Sequence, residues 1–276
     1  MISKRLTALV GASVAVVAAC VSMLAVTTAD ARPGGQGHAP ADKPTIVLVH
    51  GAFADSSGFN AVIQRLTKDG YPVVAAANPL RAVPSDAAQL SALLDSIKGP
   101  IVLVGHSYGG VVMSTAATGN KNVKALVYVA AYIPETGETV AQLTDKFPGS
   151  TVDASLKAVP LPDGVVDLYI DPAVFRANFA PDLPAKDAAL YSITQRPATN
   201  VALTEPILGE QAWHTIRSYA LISGADKIIP PAAQRYMSKR AGSTVQTVKG
   251  ASHMVFVSHP DTTVSFIERA VRETTR

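Results

Sequence analysis

Cysteine is almost missing from this chain. Its only one, Cys20, lies in the first apolar run, so the remainder holds no disulfide, no thiolate metal site and no cysteine nucleophile. Charge is sparse as well. Charged residues make up 16% of the sequence, 24 basic against 21 acidic, and no basic run follows Arg5. That balance gives no polyanion-binding surface, and nucleic acid is not an expected partner. Nor do His, Asp and Glu recur at ligand spacing, so no metal site is expected. What remains is largely aliphatic. At 276 residues and 48% hydrophobic content, the chain can bury one sizeable α/β core with an insertion.

The first stretch has a separate logic. Lys4 and Arg5 precede an apolar run from Leu6 to Val26, and Ala29-Asp30-Ala31 has the small-x-small form of a cleavage site. Residues 1–31 are therefore expected to be a signal peptide and the protein to be secreted, extracellular or in the cell envelope. Two alternatives stay open. Val17-Ala18-Ala19-Cys20 resembles a bacterial lipobox and would make the protein a lipoprotein through Cys20, although Val21 to Val26 remain apolar. A retained leader would also be long enough to span a bilayer. Membrane attachment is expected only in those two cases. Residues 32–43, with Gly34-Gly35 and Pro40, read as a flexible tether, leaving a folded domain at 44–276.

The chain is organised around residues 100–112. Ile101 to Val104 are consecutively apolar, as in a strand buried on both faces. Gly105-His106-Ser107-Tyr108-Gly109 follows, a full match to G-x-S-x-G, and Val111 to Ala117 has the character of a buried helix. A strand that reverses into a helix so abruptly puts Ser107 at a strained apex, with its Oγ above the sheet. The helix N-terminus behind it favours developing negative charge.

Other strands and helices alternate with this unit. Thr45 to Val49 is a strand ending in His50-Gly51-Ala52-Phe53, where Gly51 allows close approach and the N–H groups of Ala52 and Tyr108 would form an oxyanion hole. His50 can brace this loop or transfer protons. A helix with Phe59, Val62, Ile63 and Leu66 inward is followed by a strand over Tyr71 to Ala76, then by a helix capped by Ser85. Val123 to Ala131 is the next strand. The order means a mainly parallel sheet flanked by helices with right-handed crossovers. From Ile133-Pro134 the alternation stops, prolines recur, and periodicity survives only in pieces such as Val174 to Phe179 and Ala188 to Ile193. Residues of about 134–214 read as an inserted cap, since a structureless connection of that length does not suit a compact domain. Trp213, at its end, either lines a pocket or packs the hinge.

The sheet resumes at Tyr219 to Ser223 and ends at Thr244 to Val248, and Asp261 starts a terminal helix. Asp226 stands just past the first of these strands and His253 just past the second. Ser107, Asp226 and His253 thus fall at strand C-terminal ends in the order nucleophile, acid, histidine. His253 would take the serine proton, and Asp226 would hold the imidazole in the right tautomer. Glu135 is a substitute acid.

With these motifs in place, the chain resembles the α/β-hydrolases. It is most similar to the group of plant salicylate methylesterases, hydroxynitrile lyases and their bacterial esterase relatives. The residues that carry the likeness are Leu48-Val49-His50-Gly51-Ala52, Leu103 to Gly110, Asp226 to Pro231 and Ser252-His253. The resemblance implies an α/β-hydrolase fold with a cap and a Ser107-Asp226-His253 triad with oxyanion donors at Ala52 and Tyr108. It further implies a serine esterase that needs no cofactor. The lyases carry a threonine where Gly51 stands and a lysine where Met254 stands, so lyase chemistry is not expected. A small, uncharged, moderately apolar ester is the expected partner, contacted by Phe53, Tyr132 and Trp213. A lactonase or perhydrolase could use the same triad, and a ligand-binding relative with little turnover is the alternative outside catalysis.

Overall fold

The computed structural model describes residues 43–275; the expected signal peptide, Cys20 and all but the last residue of the tether lie outside them. Runs of consecutive aliphatic residues become strands covered on both faces, because each such run must bury two faces at once. The first half alternates regularly: β1 (Thr45–Val49), α1 (Asn60–Lys68), β2 (Val73–Ala76), α2 (Val83–Ser96), β3 (Ile101–His106), α3 (Tyr108–Ala116) and β4 (Val123–Val129). An insertion follows, with α4 (Val140–Asp145), α5 (Val152–Ser155), β5 (Leu156–Pro160), β6 (Val166–Ile170), α6 (Pro172–Asn178), α7 (Ala185–Thr194), β7 (Ala198–Thr199) and α8 (Asn200–Thr204). Then come β8 (Ser218–Ser223), α9 (Pro231–Arg240), β9 (Thr244–Val248), α10 (Val255–Ser258) and α11 (Pro260–Thr274).

Six strands form one parallel sheet in the order β2-β1-β3-β4-β8-β9. The chain steps outward from β1 to β2 and returns on the other side as β3. The carboxyl ends of β1 and β3 therefore lie side by side at the point where the strand order reverses, which is where open α/β sheets gather ligands. Val49 pairs with Gly105 in this register, so the loops after both strands emerge together. Every residue of β3 is buried, and α3, apolar nearly all round, is buried almost entirely behind it. This is the α/β-hydrolase fold.

The insertion carries its own three-stranded antiparallel sheet, β5-β6-β7. Its hairpin turns at Leu161-Pro162-Asp163-Gly164, with Gly164 at φ +82° and Leu161 N–H bonded to Val165 O at 2.8 Å. A Pro-Asp-Gly sequence favours such a turn by preset φ and by tolerance of positive φ. The short periodic pieces expected in the insertion are α6 and α7.

Several boundaries differ from the sequence reading for local reasons. The second strand starts at Val73, not Tyr71, because the Tyr71 N–H is used by Leu66 O at the end of α1 and Pro72 has none to give. Ser85 is not the cap of α2. The helix starts at Val83 with Ala82 as its half-in residue, and the Ser85 hydroxyl lies inside the first turn, bonded to Ala82 O at 3.0 Å. Glu205 accepts the Val83 N–H instead, so the insertion supplies the cap. The fourth strand stops at Val129, before Ala130 turns to φ +44°. The terminal helix begins at Pro260, which suits a first-turn position, rather than at Asp261.

Candidate active site

Ser107 sits between β3 and α3 with φ +52° and ψ −123°, a conformation that a non-glycine residue holds only when its surroundings enforce it. The enforcement is visible. Its carbonyl accepts from Gly110 N–H at 2.9 Å and from Tyr132 N–H at 3.3 Å. Gly51 packs so closely that a Cβ there would lie 2.6 Å from Ser107 Cβ and 2.8 Å from His106 O. The second residue after β1 must therefore be small, and Ala52, which follows it, lines the same cavity as Ser107. Tyr108 is the first residue of α3, so its N–H is among those an α-helix leaves without an internal partner.

His253 and Asp226 meet although 27 positions apart, with Nδ1 to Oδ2 at 2.8 Å and both side chains fully buried. Asp226 is heavily restrained. Its Oδ1 accepts the N–H groups of Ile228 (2.8 Å) and Ile229 (3.0 Å), and its Oδ2 also accepts from Gln234 Nε2 at 2.8 Å. Four donors thus face one carboxylate, the arrangement that keeps a buried charge tolerable. With Nδ1 donating to Asp226, Nε2 of His253 is left as the lone-pair nitrogen. It is buried and has no hydrogen-bond partner. A group free to accept a proton has therefore been kept in the interior, an uncommon outlay unless it is used.

Glu135, the alternative acid, is elsewhere. Its carboxylate meets His214 Nε2 at 3.1 Å near the surface. Although some burial works against it, the Thr136 N–H and His214 hold its pKa below the usual carboxylate value.

The other two motif histidines brace the site. Nδ1 of His50 donates to Gly51 O at 3.0 Å, and its Nε2 accepts from Asn78 N–H at 3.2 Å, so both nitrogens are engaged and the ring is neutral. Nε2 of His106 donates to the His253 carbonyl at 2.9 Å, and the two rings lie 4.6 Å apart. Burial pushes the pKa of His50 below its ordinary value, and that of His106 well below, where neighbouring His253 adds to the effect. Neither is placed to shuttle protons.

A cavity of about 140 Å³ opens beside the serine. Ala52, Phe53, Ser107, Tyr108 and Tyr132 from the body share its lining with Val140, Thr144, Leu156, Leu168 and Leu203 from the insertion. Two carboxylates, Asp145 and Asp153, belong to the lining, and no Lys, Arg or His does. Tyr132 gives its hydroxyl to a 2.7 Å bond with Thr144, and Tyr108 gives its own to Asp86 at 3.0 Å. Burial raises the pKa of both phenols and of the Asp86 carboxyl.

Trp213 corrects the reading that placed it with the pocket residues. Its Nε1 donates to Pro134 O at 2.7 Å, its ring stacks on His214 at 3.9 Å, and Arg240 lies over its face at 5.9 Å. Trp213 packs the hinge of the insertion instead. Arg240 completes that joint by gripping Glu138 with both terminal nitrogens, at 2.7 and 2.8 Å.

Sequence reasoning missed Gln234 and Asp86. Both are buried polar residues on helix faces that otherwise turn inward, beside Ala233 and Met237 on α9 and beside Ala87 and Leu90 on α2. A polar residue on an apolar stripe was the available signal. Among the described residues, no group of three or more His, Cys, Asp or Glu could hold a metal ion.

A family model described as the alpha/beta hydrolase family matches residues 46–266. The chain is 27% identical to the esterase PIR7B of Oryza sativa subsp. japonica over 247 residues, covering 79% of this chain and 92% of that one. It is 25% identical to an alpha-hydroxynitrile lyase of Arabidopsis thaliana over 242 residues, covering 79% and 93%. Polyneuridine aldehyde esterase superposes with a TM-score of 0.71 at 18% identity, over 82% of this chain and 98% of that one, a likeness of fold.

Proposed function

The chain belongs to the alpha/beta hydrolase family, and from that premise we propose that it is a secreted serine hydrolase that cleaves carboxylic esters through an acyl-enzyme on Ser107. One observation carries the reading. A serine held in a strained strand-to-helix turn stands by a cavity, and His106 beside it bonds the backbone of His253, whose fully buried imidazole pairs with Asp226 and keeps Nε2 free. In the proposed reaction Nε2 takes the Ser107 hydroxyl proton as Oγ attacks the ester carbonyl. The N–H groups of Ala52 and Tyr108 receive the oxyanion. The carbon–oxygen bond of the ester then breaks, and the imidazolium returns its proton to the departing alcohol. Water repeats the sequence on the acyl-enzyme, giving its proton to Nε2 and releasing the carboxylic acid and Ser107.

The lining supports an uncharged and moderately apolar substrate. Leu156, Leu168, Leu203 and Val140 offer apolar contact, and Asp145 and Asp153 oppose a carboxylate on the substrate. One named relative is a hydroxynitrile lyase. Here Met254, buried in the core, follows the histidine, and no basic side chain reaches the lining to receive a cyanide charge. That favours ester hydrolysis. The leader residues 1–31 support export.

The test is hydrolysis of p-nitrophenyl esters of graded chain length by the full chain, beside Ser107→Ala. We expect turnover of short, neutral esters, loss of it in the variant, and poor use of an ester that bears a free carboxylate. Equal turnover with and without the Ser107 hydroxyl would overturn the reading.

A further inference from the structure

His253 lies in the loop of residues 249–254 between β9 and α10, outside any strand or helix. Two of its restraints come from the body of the protein: the Nδ1 bond to Asp226 and the carbonyl bond from His106. Two more come from the insertion. Asp182 Oδ2 accepts the Ser252 N–H at 3.0 Å, and the Phe179 ring meets the imidazole edge-on, with centroids 4.9 Å apart. Both residues belong to the short segment that joins α6 to α7. Ser252 is buried, and without that carboxylate its N–H would have no partner.

The same insertion reaches the other two loops of the site. Phe53, at φ +60° beside the oxyanion donor Ala52, gives its N–H to Arg196 O at 3.0 Å and its ring to Phe179 at 6.3 Å. On the acid loop, Thr151 N–H donates to Lys227 O at 2.7 Å and Ser150 Oγ to Ile228 O at 2.8 Å. The insertion thus touches the loops that carry Ala52, Asp226 and His253. Its bond to Ser252 differs from the rest, because it acts on the backbone next to the proton-transferring ring.

We propose that Asp182 is a positioning residue for His253: its hydrogen bond to the Ser252 N–H fixes the backbone from which the imidazole reaches Ser107. The insertion therefore acts on the chemical step as well as on substrate choice. The other carboxylate oxygen, Oδ1, is buried without a partner, so the side chain is kept inside for this one bond. Asparagine at 182 could accept the same N–H through its amide oxygen, whereas alanine could not. That difference separates the hydrogen bond from the charge. The leverage is geometric, since Nε2 must lie within hydrogen-bond reach of the serine hydroxyl to act as base.

The inference rests on the esterase reading, and the experiment has one arm that does not. The full chain, Asp182→Ala and Asp182→Asn are compared for kcat and KM on a p-nitrophenyl ester, per serine titrated with a fluorophosphonate. In Asp182→Ala, kcat should fall about 100-fold with KM within about threefold, while Asp182→Asn should stay within about fivefold of the parent in both. Hydrogen exchange supplies the second arm. The peptide containing Ser252 should exchange faster in Asp182→Ala, with the peptide containing Ser107 unchanged. A kcat within about twofold of the parent in Asp182→Ala overturns the proposal, and so does an equal loss in both variants. If the parent hydrolyses no ester, the esterase reading fails by itself. Exchange then decides whether Asp182 holds the loop, and unchanged exchange at Ser252 overturns the proposal.

Discussion

Replacing Gln234 by leucine, a side chain of similar size, probes how the buried acid is held. The change removes three hydrogen bonds: Nε2 to Asp226 Oδ2 at 2.8 Å, Nε2 to Ile229 O at 2.8 Å, and Ser223 N–H to Oε1 at 3.1 Å. A hydrogen bond to a charged group contributes about 1.5–3 kcal/mol, and a buried N–H stripped of its partner costs about 1–3 kcal/mol. The apolar leucine offsets about 1–2 kcal/mol of this by its own burial. The net loss should be about 2–4 kcal/mol. For a folded body of this size each kcal/mol lowers Tm by about 2–4 °C, so a drop of about 5–15 °C is expected. Urea unfolding at constant m gives the free energy directly. Oδ1 of Asp226 keeps its two backbone donors, so the carboxylate stays in place but loosens, and kcat should fall about tenfold. A stability loss below about 1 kcal/mol with unchanged kcat would refute the view that Gln234 holds Asp226.

Gly51→Ala should be harsher on activity than on folding. The new Cβ would lie 2.6 Å from Ser107 Cβ, so the loop must retreat and take with it the Ala52 N–H proposed as an oxyanion donor. Loss of one oxyanion donor costs about 10²–10³ in kcat, and a variant with parental kcat would contradict the donor assignment. Acid should weaken the fold through His50 and His106, whose pKa values burial lowers. The unfolded chain takes up their protons first, so stability is full above about pH 6.5 and falls below it, by up to about 1.4 kcal/mol per pH unit for each ring. Asp86, pushed up by burial, works in the opposite direction, so Asp86→Asn should steepen the fall. Denaturant midpoints at about pH 7.5 and 5.5 check this, and equal midpoints in Asp86→Asn would contradict neutral buried rings.

Much of the body was legible because its signals are carried by neighbouring residues. Ile101 to Val104 and Thr45 to Val49 read as buried strands from consecutive aliphatic side chains, and both lie in the centre of the sheet. The turn at Ser107 was legible from the glycines on either side. Asp226 and His253 could be named because each follows a strand, and the structure brings them to 2.8 Å. Element starts were less clear. Ser85 looks like a cap by type, but the Val83 N–H is taken by Glu205, 122 positions away. The insertion was opaque for a related reason. Its sheet is short and half-exposed, so the hairpin lacks clean alternation, and its Pro162-Asp163-Gly164 turn was the only strong local mark. Gln234, Asp86 and Asp182 earn their places through partners distant in sequence, which no local pattern encodes. Trp213 illustrates the converse, since an aromatic near a pocket in sequence proved to serve a joint.

The most direct test of the account is to quench the full chain during turnover of p-nitrophenyl acetate and map the acetyl group by peptide mass. The account predicts one acetyl group on the peptide containing Ser107, at the hydroxyl, and none in Ser107→Ala. Acetylation of another residue that turns over at the rate of hydrolysis, with Ser107 unmodified, would contradict it.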